Sequence, residues 1–383
     1  MSRIGLTLVA IFMSFDASAE WKDVLWARHT IDASSQGADG ARLADINGDG
    51  LMDVVTPWEE GGAIRIAFHP GVDKVTEPWP SVEVGRVGKP EDAFAMDVDG
   101  DGRLDVVSSC EGNTRAMYVH WAPDDPTDAG GWVTENIPAS KGLQRFMFSV
   151  AVDVNGDGRE DIVSGGKNEG AQLGWFEAPE NPRKLEDWTW HKMVDVGWVM
   201  SIRVFERKDE TPSILISDRK GARRGVFFVY PTDDILDTWE RRLSAGVDRE
   251  VMFLDWVGDT IAWATRDGGV TVFSKDGLEE IPMPEGAGTG KAVAIGDLDG
   301  DGDEDLVVDC EASDAKFGLF GFEWDENSEE WKFHDIAGPT GTKFDRIELI
   351  DLDGDGDLDV LTCEEKENLG VIWYENPTTS AKS

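Results

Sequence analysis

The chain has 383 residues, with 77 acids against 36 bases and a formal net charge of −41. That charge argues against nucleic acid or an anionic membrane as a partner. A hydrophobic fraction of 40% still permits a sizeable core, and the length allows either two average domains or one large all-β domain.

The chain opens on MSRIGLTLVAIFMSFDASA, with Arg3 as a short basic region, an apolar stretch from Ile4 to Met13, and small residues at Ala17-Ser18-Ala19. This is the pattern of a signal peptide over residues 1–19, so a secreted, periplasmic or cell-surface protein is expected. No later apolar run reaches the roughly 18 residues of a membrane span. Cys110, Cys310 and Cys363 each follow a DVV-like run. Their odd number gives no disulfide framework, and they read as small, half-buried residues.

The remainder is a repeat. An acidic nonapeptide recurs as DINGDGLMD from Asp45, DVDGDGRLD from Asp97, DVNGDGRED from Asp153, DLDGDGDED from Asp297 and DLDGDGDLD from Asp351. A short apolar run precedes and follows each copy. An aromatic segment comes next (AIRIAFHP, AMYVHWAP, LGWFEAPEN, FGLFGFEW, GVIWYENP), then a tryptophan-bearing one such as WTWHKMVD or WKFHDIAG. Short runs bounded by Gly, Pro, Asn and Asp are strands. Four of them, a to d, in about 50 residues make one propeller blade. Between Asp153 and Asp297 two worn units, SIRVFERKDETPSILISDRKGARRGVFFVYPTDD and MFLDWVGDTIAWATRDGGVTVFSKDG, keep the rhythm without the acidic loop. The seventh unit stops at GVIWYENP without a d-strand, and residues 21–32, WKDVLWARHTID, are an orphan one.

The expected fold is therefore all-β, a single seven-bladed β-propeller over residues 20–377 with four-stranded blades. Residues 21–32 would complete the last blade, and residues 378–383 would form a disordered tail. A solenoid is the alternative, but it would not need the orphan strand. A monomer is expected.

In D-x-[DN]-x-D-G-x-x-D, oxygens stand at positions 1, 3, 5 and 9, and position 7 offers its carbonyl. Hard oxygens in that number suit the about 6 to 8 ligands of Ca²⁺ better than the strict octahedron of Mg²⁺. The metal candidates are Asp45, Asn47, Asp49 and Asp53; Asp97, Asp99, Asp101 and Asp105; Asp153, Asn155, Asp157 and Asp161; Asp297, Asp299, Asp301 and Asp305; and Asp351, Asp353, Asp355 and Asp359. About five structural Ca²⁺ sites are expected, none of them in blades 4 and 5. The neutral Asn47 and Asn155 make two of the five weaker.

With these loops the sequence resembles the FG-GAP/VCBS repeat proteins over essentially the whole mature chain. That resemblance implies calcium loops joining strands a and b of propeller blades. The family includes the integrin α-subunit head, bacterial secreted and adhesion-like proteins, and propeller domains of some sugar-active lyases and dehydratases, so it does not fix an activity.

The a–b turns lie on one face of a propeller, and the b–c and d–a loops on the other. Six residues past each acidic motif, or at the matching strand position, stand Glu59, Glu111, Lys167, Arg219, Arg266, Glu311 and Glu365. Six residues before each motif stand Asp39, Glu91, Met147, Val199, Arg249, Lys291 and Asp345. The ligand candidates are the first seven with Glu91, Arg249 and Lys291. Acids gather on one arc and bases, including Lys220, Arg223 and Arg224, on the other. These charges either pair with one another or form a bipolar pocket, whose bases take a carboxylate or sulfate and whose acids take hydroxyls, an amine or a cation. The expected function is an exported calcium-binding module for a carbohydrate, an acidic polysaccharide or a protein partner. The alternative is a polysaccharide lyase or sugar dehydratase. Against an enzyme, the five histidines and three tyrosines fall in c- or d-segments, away from this face. For the alternative, Glu59, Glu111, Glu311 or Glu365, raised by acidic neighbours, would have to serve as the base and Arg219, Lys167 or Arg266 as the carboxylate neutraliser.

Overall fold

The computed structural model describes residues 21–206, 210–222, 224–237, 239–246, 248–325 and 328–378. The expected signal peptide and residues 379–383 of the expected tail lie outside them, as does Arg223. Seven four-stranded antiparallel sheets follow one another around a ring. Blade 3 shows the plan, with strands Arg145–Val152, Asp161–Lys167, Gln172–Glu177 and Thr189–Asp195 running from a to d.

Strand b is buried along its whole length in blades 1, 2, 3, 4 and 7. It lies between a and c and is covered on both faces by neighbouring blades, hence runs such as DVV and DIV in place of alternation. The d-strands face solvent on one side, and Val133–Asn136 and Glu330–Asp335 alternate accordingly. Cys110, Cys310 and Cys363 fall on these b-strands and are fully buried as free thiols, not half-buried as the sequence suggested.

The ring closes as expected from the orphan segment. Ala27–Asp32 pairs antiparallel with Gly370–Glu375, with Arg28 opposite Tyr374 and His29 opposite Trp373, and completes the seventh sheet. His29 also bonds Glu375 at 2.8 Å, as His191 bonds Glu177 at 2.8 Å and His334 bonds Glu323 at 2.7 Å. His29 and His191 lie against Trp373 and Trp175 of the neighbouring c-strand. In blade 6 the matching c-strand residue is Gly321, and Trp21 stacks on His334 in its stead at 4.7 Å.

A second pattern joins each blade to the next. A tryptophan stands at the start of most d-strands: Trp26, Trp79, Trp132, Trp188 and Trp239, each at most 9% exposed. Each shares a hydrophobic cluster with the second residue of the acidic loop in the preceding blade. The pairs are Trp26 with Leu298, Trp79 with Leu352, Trp132 with Ile46, Trp188 with Val98 and Trp239 with Val154. The acidic loops are therefore walls of the core as well as turns.

Candidate functional site

The acidic loops are shaped by their own carboxylates. In the first, Asp45 accepts the N–H groups of Asp49 and Gly50, and Asp49 accepts that of Leu51, at 2.9–3.0 Å. Gly48 and Gly50 have φ of 73° and 89°, as the matching pair does in each copy. Two left-handed residues in three give the tight turn, and side chains other than glycine rarely adopt them. The ninth residue has a separate task. Asp305 accepts the N–H of Leu298 at 2.9 Å and that of Trp324 at 3.1 Å, tying the loop to the end of strand c. Asp53, Asp161 and Asp359 make the same two bonds. Burial pushes Asp305 and Asp359 up to about 8.

Carboxylate oxygens of Asp97, Asp99 and Asp101, of Asp297, Asp299 and Asp305, and of Asp351, Asp353 and Asp355 each converge within 4.8 Å. Such all-oxygen sets fit a hard divalent cation. Two loops also carry a basic neighbour: Arg103 bonds Asp101, and Arg159 bonds Asp157.

On the opposite face a well of about 490 Å³ opens over the ring's centre. Glu59, Glu91, Glu111, Lys167, Arg219, Arg266, Lys291, Glu311 and Glu365 all line it, with Asp39 and Asp345. Arg249 does not; it turns to Asp267 at 3.3 Å and Glu280 at 3.1 Å. Met147 and Val199 are buried in the blades, while Phe148, Trp198 and Met200 face the well.

Among the described residues, five of the six cations that line it are paired, Lys366 being the exception. Lys167 contacts Glu91 at 3.2 Å and also Glu111, Arg219 contacts Glu250 at 3.2 Å, and Arg266 contacts Glu311. Lys291 contacts Asp345, and Lys343 contacts Glu365. Of the two arrangements open from sequence, the structure forms the network of pairs. Arg219 and Lys220 also lie 4.5 and 4.6 Å from the ring of Trp198, and Lys167 lies 4.8 Å from it.

Two acids share hydrogen bonds with acids instead. Burial and the neighbouring Asp345 hold the Asp39 carboxyl well above its ordinary range, while Lys291 and the bond from Asp39 outweigh burial and hold Asp345 down. Burial likewise raises Glu59 beside Glu111. Glu91 is pushed up to about 7 by burial and the charges of Glu111 and Glu59, against the pull of Lys167.

A family model described as FG-GAP-like repeat matches residues 45–108 and again 97–164. The chain carries FG-GAP-like repeats. The matches span the first three acidic loops, and the loops at Asp297 and Asp351 repeat the same spacing. No curated protein matches the chain in sequence. Among solved structures, BBS1N in complex with ARL6DN, soaked with lead, is similar with a TM-score of 0.59 and 12% identity, over 94% of this chain and 99% of that one. The mercury-soaked form gives 0.59 and 11% over the same shares. The computationally designed Ika8 protein gives 0.48 and 13%, over 90% and 98%. At such identities the likeness is one of fold.

Within the propeller, Trp198, Lys343, Lys366 and Glu250 complete or support the well and were not read from the sequence. The fixed offset that located the others passes one residue beside Trp198. The histidines are placed as expected, on the blades' c- and d-strands or, for His69, just beyond strand c. Among the described residues lining the well there is no histidine or tyrosine.

Proposed function

We propose that this FG-GAP-repeat propeller is an exported, calcium-stabilised binding module that holds a hydroxyl-rich ligand, a carbohydrate, in the charged well. The observation that carries this reading is the pairing of five of the well's six cations. Lys167, Arg219, Arg266, Lys291 and Lys343 each face a carboxylate already. An anionic ligand would have to displace those carboxylates, and breaking a half-desolvated pair is costly. A sugar hydroxyl both donates and accepts, so it can join the network without dismantling it. Phe148, Trp198 and Met200 add apolar surface for the ring carbons.

Calcium belongs to the other face. The residues that would hold it are the first, third, fifth and ninth of each acidic loop. A bound cation would offset the mutual repulsion of carboxylates crowded there. The leader-like stretch at residues 1–19 supports export.

Calorimetric titration of the purified protein with neutral and uronate-containing oligosaccharides tests the well. Neutral sugars should bind at least as well as uronates, and Lys167→Ala or Arg219→Ala should weaken binding roughly tenfold. Sugar binding that neither substitution changes would overturn the reading. One observation favours the enzymatic alternative: a lyase needs a base titrating near neutrality, and Glu91 is pushed up to about 7 beside Lys167. Absorbance of unsaturated product from a uronate polymer, abolished by Glu91→Gln, would decide for it.

A further inference from the structure

The five buried d-strand tryptophans have a sixth counterpart, Trp331 in blade 6, and it alone is half-exposed. The cause lies in blade 5. Its a–b connection is a tight turn, with Val257 paired to Thr260, and its c–d connection another, with Ser274 paired to Gly277. With no acidic loop there, no second-position residue covers Trp331. A cleft of about 500 Å³ remains between blades 5 and 6, walled by Trp331 and Trp324, whose rings lie 5.1 Å apart at 58°. The indole nitrogen of Trp331 is buried and, like that of Trp26, has no acceptor among the described residues, whereas those of Trp79, Trp132, Trp188 and Trp239 each reach a carbonyl of their own blade.

The charge on this cleft differs from that of the well. Asp259, Asp276, Glu279, Asp303 and Glu304 line it against a single Lys275. Among the described residues Asp259, Asp276, Glu279 and Glu304 have no ion-pair partner. Aromatic walls with unpaired carboxylates at their rim suit a cation that is flat or apolar at its edges, since the ring face and the acids attract it together.

We propose that this cleft is a second binding site, separate from the well, that takes the guanidinium or ammonium side chain of a basic peptide. The gap left by blade 5 supplies the volume, the uncovered tryptophans supply the walls, and the unpaired acids select the charge.

Calorimetry with N-acetyl-argininamide, and with its neutral citrulline counterpart as control, tests the site in the full-length protein. The arginine compound should bind at millimolar concentration or below, with the citrulline compound roughly tenfold weaker. A Glu279→Gln/Glu304→Gln double variant should weaken it by a similar factor, and so should Trp324→Leu. Lys167→Ala, in the well, should leave it unchanged. Thermal melting of each variant checks that the fold is kept. Equal affinity for the citrulline compound, full binding to the double variant, no heat from the arginine compound, or loss of binding in Lys167→Ala would each overturn the proposal.

Discussion

His120 sits at the seam of blades 1 and 2, with Nε2 2.9 Å from Ser108 Oγ and Nδ1 2.9 Å from Thr134 Oγ1. One neutral tautomer satisfies both hydroxyls, and burial pushes the ring down to about 3. An unfolded histidine takes up its proton near pH 6.5. The native state therefore binds fewer protons than the unfolded chain between pH 6.5 and about 3. Stability held in full above 6.5 should fall as the pH drops through that window, with a slope approaching about 1.4 kcal/mol per unit. Urea midpoints measured from pH 7 to 4 should decline less steeply in His120→Gln than in the native protein. Gly321 is the other residue on which local packing turns. A Cβ there would lie 2.3 Å from the Trp21 ring. Gly321→Ala should cost about 1–3 kcal/mol through overpacking, and Trp21→Ala about 3–5 kcal/mol through the cavity it leaves. Because both act on one contact, the double variant should cost less than the sum.

The acidic loop does two things as an element. Its first five positions gather oxygens, and its second residue packs under the next blade's tryptophan. Removing the proposed calcium should therefore loosen five tryptophan seams together. Treatment with a chelator at low ionic strength should lower the melting temperature and shift tryptophan emission to longer wavelength. An unchanged melt would refute structural calcium. Leu298→Ala should cost about 2–5 kcal/mol and weaken calcium binding at its own loop, read by titration of that variant. The loops were legible from sequence because glycine and aspartate at fixed spacing allow few conformations. The rim opposite was legible for a geometric reason: a fixed offset along a strand is a fixed height in the blade. That argument placed Glu59, Glu111 and Lys167 at the well. It missed Trp198 and could not tell Met147 from Phe148, whereas in blades 2, 6 and 7, whose a-strands carry the same register irregularity, it found Glu91, Lys291 and Asp345 at the well. Lys343 and Glu250 lie off the offset altogether, so the pairing of the well was not readable.

For the molecule as a whole the seam between Ala27–Asp32 and Gly370–Glu375 is the closure. Every other blade is made from one continuous stretch of chain, whereas this one joins the two ends. Deleting residues 21–32 would remove Trp21, Trp26 and the outer strand together, leaving Gly370–Glu375 as a bare edge. Bare edges pair with other chains. The truncated protein should lose its single sharp melting transition and self-associate, as seen by calorimetry and light scattering. A synthetic peptide of residues 21–32 should restore both. A monomer with an unchanged melt would show that the seam is dispensable.

That seam also imposes a schedule. His29 and its partner Glu375 are separated by 346 positions. At synthesis rates of about 5–20 residues per second, the first strand is made on the order of tens of seconds before the strand it must meet. Blades 1 to 6 have all their strands in hand during that interval, but the ring stays open until the last blade arrives. The decisive fastening of this ring therefore cannot form before nearly all of it has been made.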